Sequence, residues 1–162
     1  MKTFATTLIA LLISVSAFAQ EDFPRNEVSL NLFSTVVWRY PVITYERILA
    51  PDFSIGTSLG FDLSNDYLMT FNLTPFARWF FGSNGETMEN AGTGFFIEAN
   101  TALFSTKINA IQSEFDFGIG LGIGWKFVTR GNWTGEILLG GGRGFVHDNF
   151  YPRGGISIGR RF

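Results

Sequence analysis

The sequence predicts an all-β protein, an eight-stranded antiparallel up-and-down transmembrane β-barrel, on three observations. Residues 114–127 alternate without interruption, with bulky apolar side chains on one face and four glycines between charged residues on the other. A period of two is that of a strand, and large apolar groups opposite small or polar ones are typical of a barrel in lipid. The same alternation recurs eight times at about the ~10-residue length of a tilted spanning strand. After the N-terminal segment, no apolar run approaches the ~20 residues of a spanning helix.

The first 19 residues are predicted to be a secretory signal peptide, which leaves 20–162 as a single barrel domain. Lys2 precedes an apolar stretch at 8–15, and Ala17-Phe18-Ala19 has the pattern of a cleavage site. The chain has no cysteine, which excludes disulfides, thiolate nucleophiles and cysteine-ligated metals. Export without disulfides indicates a bacterial envelope protein.

Composition and charge agree with this class. Aromatic residues make up 17% of the chain, including 19 Phe, and the mean hydropathy is +0.18. Hydropathy stays near zero in a barrel because alternation averages lipid-facing and lumen-facing residues together. The formal net charge of −2 is too small to indicate a nucleic-acid partner.

The first four strands are predicted at 27–33, 41–48, 53–62 and 67–80. The first strand presents Val28 and Leu32 outward, and a tight Ala-Pro-Asp turn at 50–52 joins the second to the third. The fourth strand presents Met69 outward and contains Pro75, which removes one donor from the hydrogen-bond ladder. The residues at 34–40, between the first two strands, are predicted to form a loop.

The last four strands are predicted at 94–104, 114–127, 133–142 and 153–162. An even number of strands returns both termini to the same side, as in single-chain bacterial barrels. By this count the polar connection 82–92 is periplasmic, although it is longer than the presumed outer loop around residues 64 and 65. Either one strand is miscounted or this connection has a role of its own.

A sheet in hydrocarbon must close, because unpaired edge groups cost several kcal/mol each. Eight strands enclose a lumen just wide enough for side chains. The predicted lumen charge network consists of Glu46, Asp62, Arg78, Glu98, Asp116, Lys126, Glu136 and Arg161. It is either a structural network of paired charges with ordered water, or a proton or small-ion path or catalytic carboxylate pair. Acids outnumber bases in this set, so some carboxylates are expected to be protonated or to reach water.

Outward aromatic residues fall near strand ends, where the edges of a membrane are expected. One rim is predicted to carry the interface aromatics Tyr45, Trp79, Phe95, Trp125, Phe127 and Trp133. The other rim is predicted to carry Tyr40, Phe61, Phe71 and Phe115. Such girdles anchor a barrel at the lipid headgroups.

Three local stretches carry a resemblance to a known family: Thr44-Tyr45-Glu46-Arg47, the segment 74–81, and the ending 155–162. With the strand pattern, they resemble the small eight-stranded outer-membrane barrels of Gram-negative bacteria, of the OmpX and OmpA-transmembrane-domain kind, and the Bacteroidetes-type outer membrane protein beta-barrel families. Phe162, after alternating apolar residues, is similar to the assembly signal that the barrel-assembly machinery recognises. Arg160 departs from the family pattern, because an outward position near the end is usually apolar.

The resemblance implies a location in the cell outer membrane and contact with outer-membrane lipid and lipopolysaccharide. It also implies interaction with the barrel-assembly machinery during insertion. The expected role is structural or a surface interaction with an extracellular partner of unknown identity, without enzymatic activity or a cofactor. A narrow channel and a soluble lipocalin-like barrel are the alternatives outside catalysis.

An enzymatic alternative is a lipid A deacylase-like activity, because some eight-stranded barrels use a Ser/His/acid arrangement near the final strands. The only histidine, His147, is followed by Asp148 and Asn149 and has no serine two residues on. One histidine cannot assemble a histidine-based metal site alone. The glycine run at 118–124 lacks the spacing of a nucleotide-binding loop. We therefore expect no catalytic, cofactor-binding or metal-binding residues.

Overall fold

The computed structural model describes residues 24–63, 69–81, 90–107 and 113–162. The predicted signal peptide at 1–19 and most of the connection 82–92 lie outside these residues. Eight strands and one short helix follow in chain order: β1 Asn26–Asn31, α1 Leu32–Trp38, β2 Val42–Ala50, β3 Phe53–Phe61, β4 Met69–Phe81, β5 Gly94–Lys107, β6 Ser113–Val128, β7 Trp133–Gly144 and β8 Phe150–Arg161.

Every strand pairs antiparallel with the next strand in the chain, and β1 pairs with β8, so that the sheet closes. The predicted fold class, an all-β eight-stranded antiparallel up-and-down barrel, is therefore confirmed. Among the described residues, no helix combines the length and apolar character that crossing a membrane requires.

The barrel has two different ends. The turn end carries the tight turns at 51–52 and 129–132. The start of β1 and the end of β8 also lie there, where Phe162 N donates to Asn26 O at 2.8 Å. The loop end carries α1 and the connection 145–149. Strands are longer on one side of the barrel, from six residues in β1 to 16 in β6.

The helix α1 replaces the end of the first predicted strand and the loop predicted at 34–40. Asn31 caps it, because its side-chain oxygen accepts from Ser34 N at 3.0 Å. The helix ends at Arg39, whose φ of 51° is left-handed, and Tyr40 N donates to Ser34 O at 3.0 Å. A local cap thus turns the chain where alternation alone would extend the strand.

The alternation of β6 has the predicted orientation. Leu121 is 67% exposed and Trp125 57% exposed on the outside, whereas Asp116 and Lys126 are each 1% exposed. On β6, apolar side chains therefore form the outer surface of the barrel, and Asp116 and Lys126 lie within it.

Two residues predicted to face outward lie inside. The register of β4 against β5 shifts between Met69 and Phe71, and this irregularity turns Met69 into the barrel. Tyr40 belongs to the same buried cluster as Met69, together with Phe104 and Tyr151, and does not lie on the outer rim. The lumen at the loop end therefore holds an apolar and aromatic cluster.

Candidate functional site

Within the described part of the chain, eight charged side chains form one connected ion-pair network across the lumen. Its four acids are Glu27, Glu46, Glu98 and Glu136, and its four bases are Arg78, Lys126, Arg153 and Arg161. The formal charge of this central network is therefore balanced. Six of its members were predicted, and Glu27 and Arg153 were not.

Arg78 is the hub of the network. Its Nη1 lies 2.6 Å from Glu46 Oε2 and 2.7 Å from Glu136 Oε2, while its Nε lies 2.9 Å from Glu98 Oε2. Nη2 donates to Glu136 Oε1 at 2.9 Å, which makes that pair bidentate. The planar guanidinium of Arg78 joins three carboxylates and holds one of them with a bidentate fork, a geometry that an ammonium does not offer.

Lys126 occupies a space between three carboxylates. Its Nζ lies 2.5 Å from Glu46 Oε2 and 3.1 Å from both Glu27 Oε1 and Glu136 Oε2. These three glutamates are also the one group in the described residues whose geometry could hold a metal ion. The ammonium of Lys126 already supplies the positive charge there, so the arrangement needs no added cation.

The remaining two bases extend the network to both ends of the lumen. Arg153 Nη2 donates to Glu98 Oε2 at 3.0 Å and to Ser58 Oγ at 3.2 Å, toward the loop end. At the turn end, Arg161 Nε lies 3.0 Å from Glu27 Oε2. The Nη atoms of Arg161 donate to Ala91 O at 2.7 Å and Gly92 O at 2.9 Å, which fixes the end of the connection 82–92 across the turn end.

Every strand of the barrel contributes to this network. β3 supplies no charge but donates from Ser54 Oγ to Glu46 Oε1 at 2.6 Å. β7 supplies a hydroxyl donor in addition to the acid Glu136, since Thr134 Oγ1 donates to Glu27 Oε1 at 3.0 Å. Asn100 Nδ2, on β5, donates to Glu98 Oε1 at 3.0 Å. Glu27, Glu46 and Glu98 thus have both charged and neutral partners, and Glu136 has two charged ones, as burial requires.

Aromatic rings enclose the charged layer, so the lumen is not simply polar and glycine-lined. The guanidinium of Arg78 lies between two rings, 4.3 Å from the centroid of Phe76 and 4.5 Å from that of Phe96. Phe96 also packs with Phe80 and Leu138. Cation–π contact of this kind stabilises a desolvated guanidinium by about 2 kcal/mol.

Inward glycines provide the space for these rings. A Cβ at Gly124 would overlap the ring of Phe96 on the neighbouring strand, and one at Gly60 would overlap the ring of Tyr40. These inward glycines therefore accommodate side chains from adjacent elements of the barrel.

Asp62 and Asp116, which were predicted to belong to the network, lie apart from it near the loop end. Asp62 Oδ2 pairs with Lys107 Nζ at 2.5 Å. The carboxylate of Asp116 accepts from the backbone N–H of Val146 at 2.9 Å and of His147 at 3.1 Å. Asp116 therefore organises the connection 145–149, and the excess of acids predicted for the network is not present in it.

The connection 145–149 makes two further polar contacts at the surface. Arg143 Nη2 donates to Asp148 Oδ2 at 2.5 Å, and this hydrogen bond holds the pKa of the Asp148 carboxyl below its ordinary value. His147 Nε2 lies 3.5 Å from Glu114 Oε2, with both side chains partly exposed.

The predicted interface aromatics are all exposed on the outside of the barrel, and most of them lie near the turn end. The ring of Phe127 packs over Gly135. The rings of Trp79 and Phe53 make an edge-to-face contact, with their centroids 6.2 Å apart. Arg160, the departure from the family pattern, has its guanidinium 5.9 Å from the ring centroid of Trp133. This exposed cation therefore lies within the aromatic girdle.

The alternation of the sequence contained a signal for the two missed network residues. Glu27 has the opposite parity to the outward Val28, and Arg153 has the same parity as the inward Gly155 and Ser157. Both lie at or near the ends of their predicted strands, where boundaries are least reliable.

A comparison with solved structures identifies a protein domain with a similar fold. It is similar to the N-terminal β-barrel domain of OprF from Pseudomonas aeruginosa, with a TM-score of 0.60 and 17% identity, covering 85% of this chain and 96% of that chain. No protein-family model and no curated protein matches the sequence, so the narrower resemblance to OmpX-type or Bacteroidetes-type barrels has no such match behind it. At this identity, the likeness shows that the two chains share the eight-stranded barrel fold.

Proposed function

We propose that the protein is an integral outer-membrane β-barrel with a structural or surface-interaction role and a lumen that does not conduct ions. The observation that carries this proposal is the balanced ion-pair network, which receives side chains from every strand and crosses the lumen as one charged layer. A channel needs a continuous aqueous path, and paired side chains fill the space that such a path would occupy.

The outer surface supports a lipid environment. Apolar side chains such as Leu121, Ile137 and Leu139 are at least 60% exposed on the barrel wall. In water, a contiguous apolar surface of this extent would cause aggregation, whereas lipid tails cover it without cost. The fold shared with the OprF barrel domain agrees with an outer-membrane location.

In this arrangement the loop end faces the cell exterior and the turn end faces the periplasm. The interface aromatics near the turn end would then lie at the inner headgroups, and lipopolysaccharide would surround the loop end. Phe162 is 61% exposed beside the closing strand pair, where the assembly machinery could bind it before β1 and β8 join.

We propose no catalytic role for His147. Its imidazole lies beside the carboxylate of Glu114, and the neighbouring Asp148 pairs with Arg143. A lipid A deacylase-like activity would require a serine activated by this histidine. The change His147→Ala is therefore expected to leave lipid A unchanged when the chain is expressed in a Gram-negative host, and a loss of acyl chains only with the native protein would contradict this.

Two experiments test the proposed function. The native protein should fractionate with outer membranes and migrate as a compact band that shifts on boiling. In planar bilayers it should give no discrete conductance steps, whereas Arg78→Ala should give them because three carboxylates lose their hub. Arg143→Ala removes an exposed cation and should stay silent. Steps from the native protein would contradict the proposal of a non-conducting lumen.

A further inference from the structure

A helix completes the barrel wall at one place where a strand is missing. β1 pairs with β8 only from Glu27↔Arg161 to Asn31↔Ser157. The part of β8 from 150 to 156 therefore has no β1 partner, and α1 contacts β8 instead. Asn31 Nδ2 donates to Gly154 O at 2.9 Å and satisfies one carbonyl of this edge. Pro152 lies on the same stretch and has no N–H to satisfy.

A cavity of about 220 Å³ lies behind this helix, in the half of the lumen toward the loop end. Its floor is the charged layer, where Arg78, Glu136 and Arg153 reach it. Phe33 and Trp38 of α1 line it on the other side. The cavity therefore has the ionic network as its floor and α1 as part of its wall.

The floor and walls offer neutral hydrogen-bonding groups. The two guanidiniums are already paired with Glu98 and Glu136, so the floor carries no net charge. The walls carry hydroxyl and amide groups from Thr44, Asn72 and Ser157, with Thr44 Oγ1 2.9 Å from Ser58 Oγ. Such a lining suits a hydroxyl or amide group of a ligand, whereas a charged group would lose hydration without a free counter-charge.

The cavity reaches the outer surface of the barrel. Leu139 and Pro152 line it and are also exposed on the outside, Leu139 by 72%. Phe33, which is 41% exposed, lies at the same place. If the proposed function is correct, this surface faces lipid chains. Sites for drug-sized ligands have volumes of about 300–1,000 Å³. This cavity is smaller, so it would hold only the small polar head group of a lipid and the first carbons of its chain.

We propose that this cavity binds one uncharged, single-chain amphiphile from the surrounding lipid, with its hydroxyl or amide head on Thr44, Asn72 and Ser157. The start of its chain passes Phe33, Leu139 and Pro152, and the rest of the chain remains in the membrane. The inference rests on the proposed membrane location and adds a ligand class to it. α1 forms part of the wall through which the chain passes.

The test is native mass spectrometry of the full-length mature barrel titrated with glycerol monolaurate, and with laurate as the charged probe. The native protein should retain one glycerol monolaurate and bind laurate at least about tenfold more weakly. Ser157→Phe fills the cavity and should abolish retention. Ile158→Phe places the same ring on the outer surface and should bind as the native protein does.

Asn72→Leu serves as a second variant if Ser157→Phe does not fold, and it should weaken binding about tenfold because it removes a polar lining group. Equal retention by native and cavity variants, equal binding of laurate, or no retention by the native protein would each overturn the inference. Every sample is also tested for heat-modifiable migration and for flotation with lipid vesicles. A barrel that floats but binds no amphiphile contradicts this inference alone, whereas one that does not float contradicts the membrane proposal itself.

Discussion

Arg161 on the last strand and Glu27 on the first strand are joined by an ion pair, with Nε and Oε2 3.0 Å apart. The two residues are 134 positions apart in the chain and become neighbours only when the barrel closes. Glu27 also accepts from Lys126 of β6 and Thr134 of β7. The carboxylate of Glu27 therefore links β1 to β6, β7 and β8.

Glu27→Gln is expected to lower the free energy of unfolding by about 3–5 kcal/mol, because it removes the carboxylate that pairs with the buried Arg161 and one of the three that surround Lys126. The measurement is urea unfolding of barrels in lipid vesicles, followed by the loss of the compact gel band. Glu114→Gln is the matched control, since Glu114 is partly exposed and its change should stay within about 0.5 kcal/mol. Equal effects of the two changes would show that closure does not depend on the buried pair.

Lys126→Met should also destabilise the barrel by about 3–5 kcal/mol, because three carboxylates lose their shared ammonium. Combining it with Glu27→Gln should cost less than the sum of the two single changes, since the double variant removes both charges of one pair. The same urea unfolding measures all three variants. Strict additivity would mean that Lys126 and Glu27 are not coupled.

Gly60→Ala is expected to cost about 1–3 kcal/mol, because the added Cβ would overlap the ring of Tyr40 in a buried cluster. Gly131→Ala is the control, since the nearest side-chain atom to its Cβ would be at an ordinary 3.6 Å. Thermal unfolding of the compact gel band compares them. A second change, Tyr40→Val, should restore part of the loss at Gly60, and no recovery would point to a different cause.

The connection 145–149 should lose order only in acid. The hydrogen bond from Arg143 lowers the pKa of Asp148 in the folded state, so its contribution is complete above the ordinary Asp pKa of about 3.9 and is lost as pH falls through the lower folded value. Protease cleavage of this connection should therefore be unchanged between about pH 7 and pH 5 and should rise below about pH 4. The carboxylate of Asp116 holds the same connection through the backbone N–H groups of Val146 and His147, so Asp148→Asn should reduce this acid-induced change without abolishing it. An unaltered profile would exclude Asp148 as a source.

The sequence predicted the strands, because their alternation has a regular period of two residues. In β6, every second residue from Phe115 to Phe127 is apolar, so both the strand and its inward face could be assigned. α1 could not be predicted in this way, because Leu32 continues the alternation of β1 and Val36 and Val37 are poor helix formers. The helix depends on the cap at Asn31, which is a local hydrogen bond and not a pattern.

The sequence could predict that charged residues fill the lumen, but it could not predict which of them form ion pairs with one another. Parity places Arg78 and Glu98 inside, but it does not show that Asp62 and Asp116 have partners near the loop end. The partners of Glu27 come from β6, β7 and β8, and register across a closed sheet decides which charges meet. Sequence spacing contains no record of that register.

The central claim is that apolar side chains on the wall face lipid, and nitroxide accessibility on β6 tests it most directly. The chain has no native cysteine, so single spin labels at Leu121→Cys and Ile123→Cys are unambiguous. In lipid vesicles both labels should be relaxed strongly by oxygen and weakly by a water-soluble nickel complex, while a label at Asn132→Cys in a turn should show the reverse. Strong relaxation by nickel at Leu121 and Ile123 would place this wall in water and contradict the account.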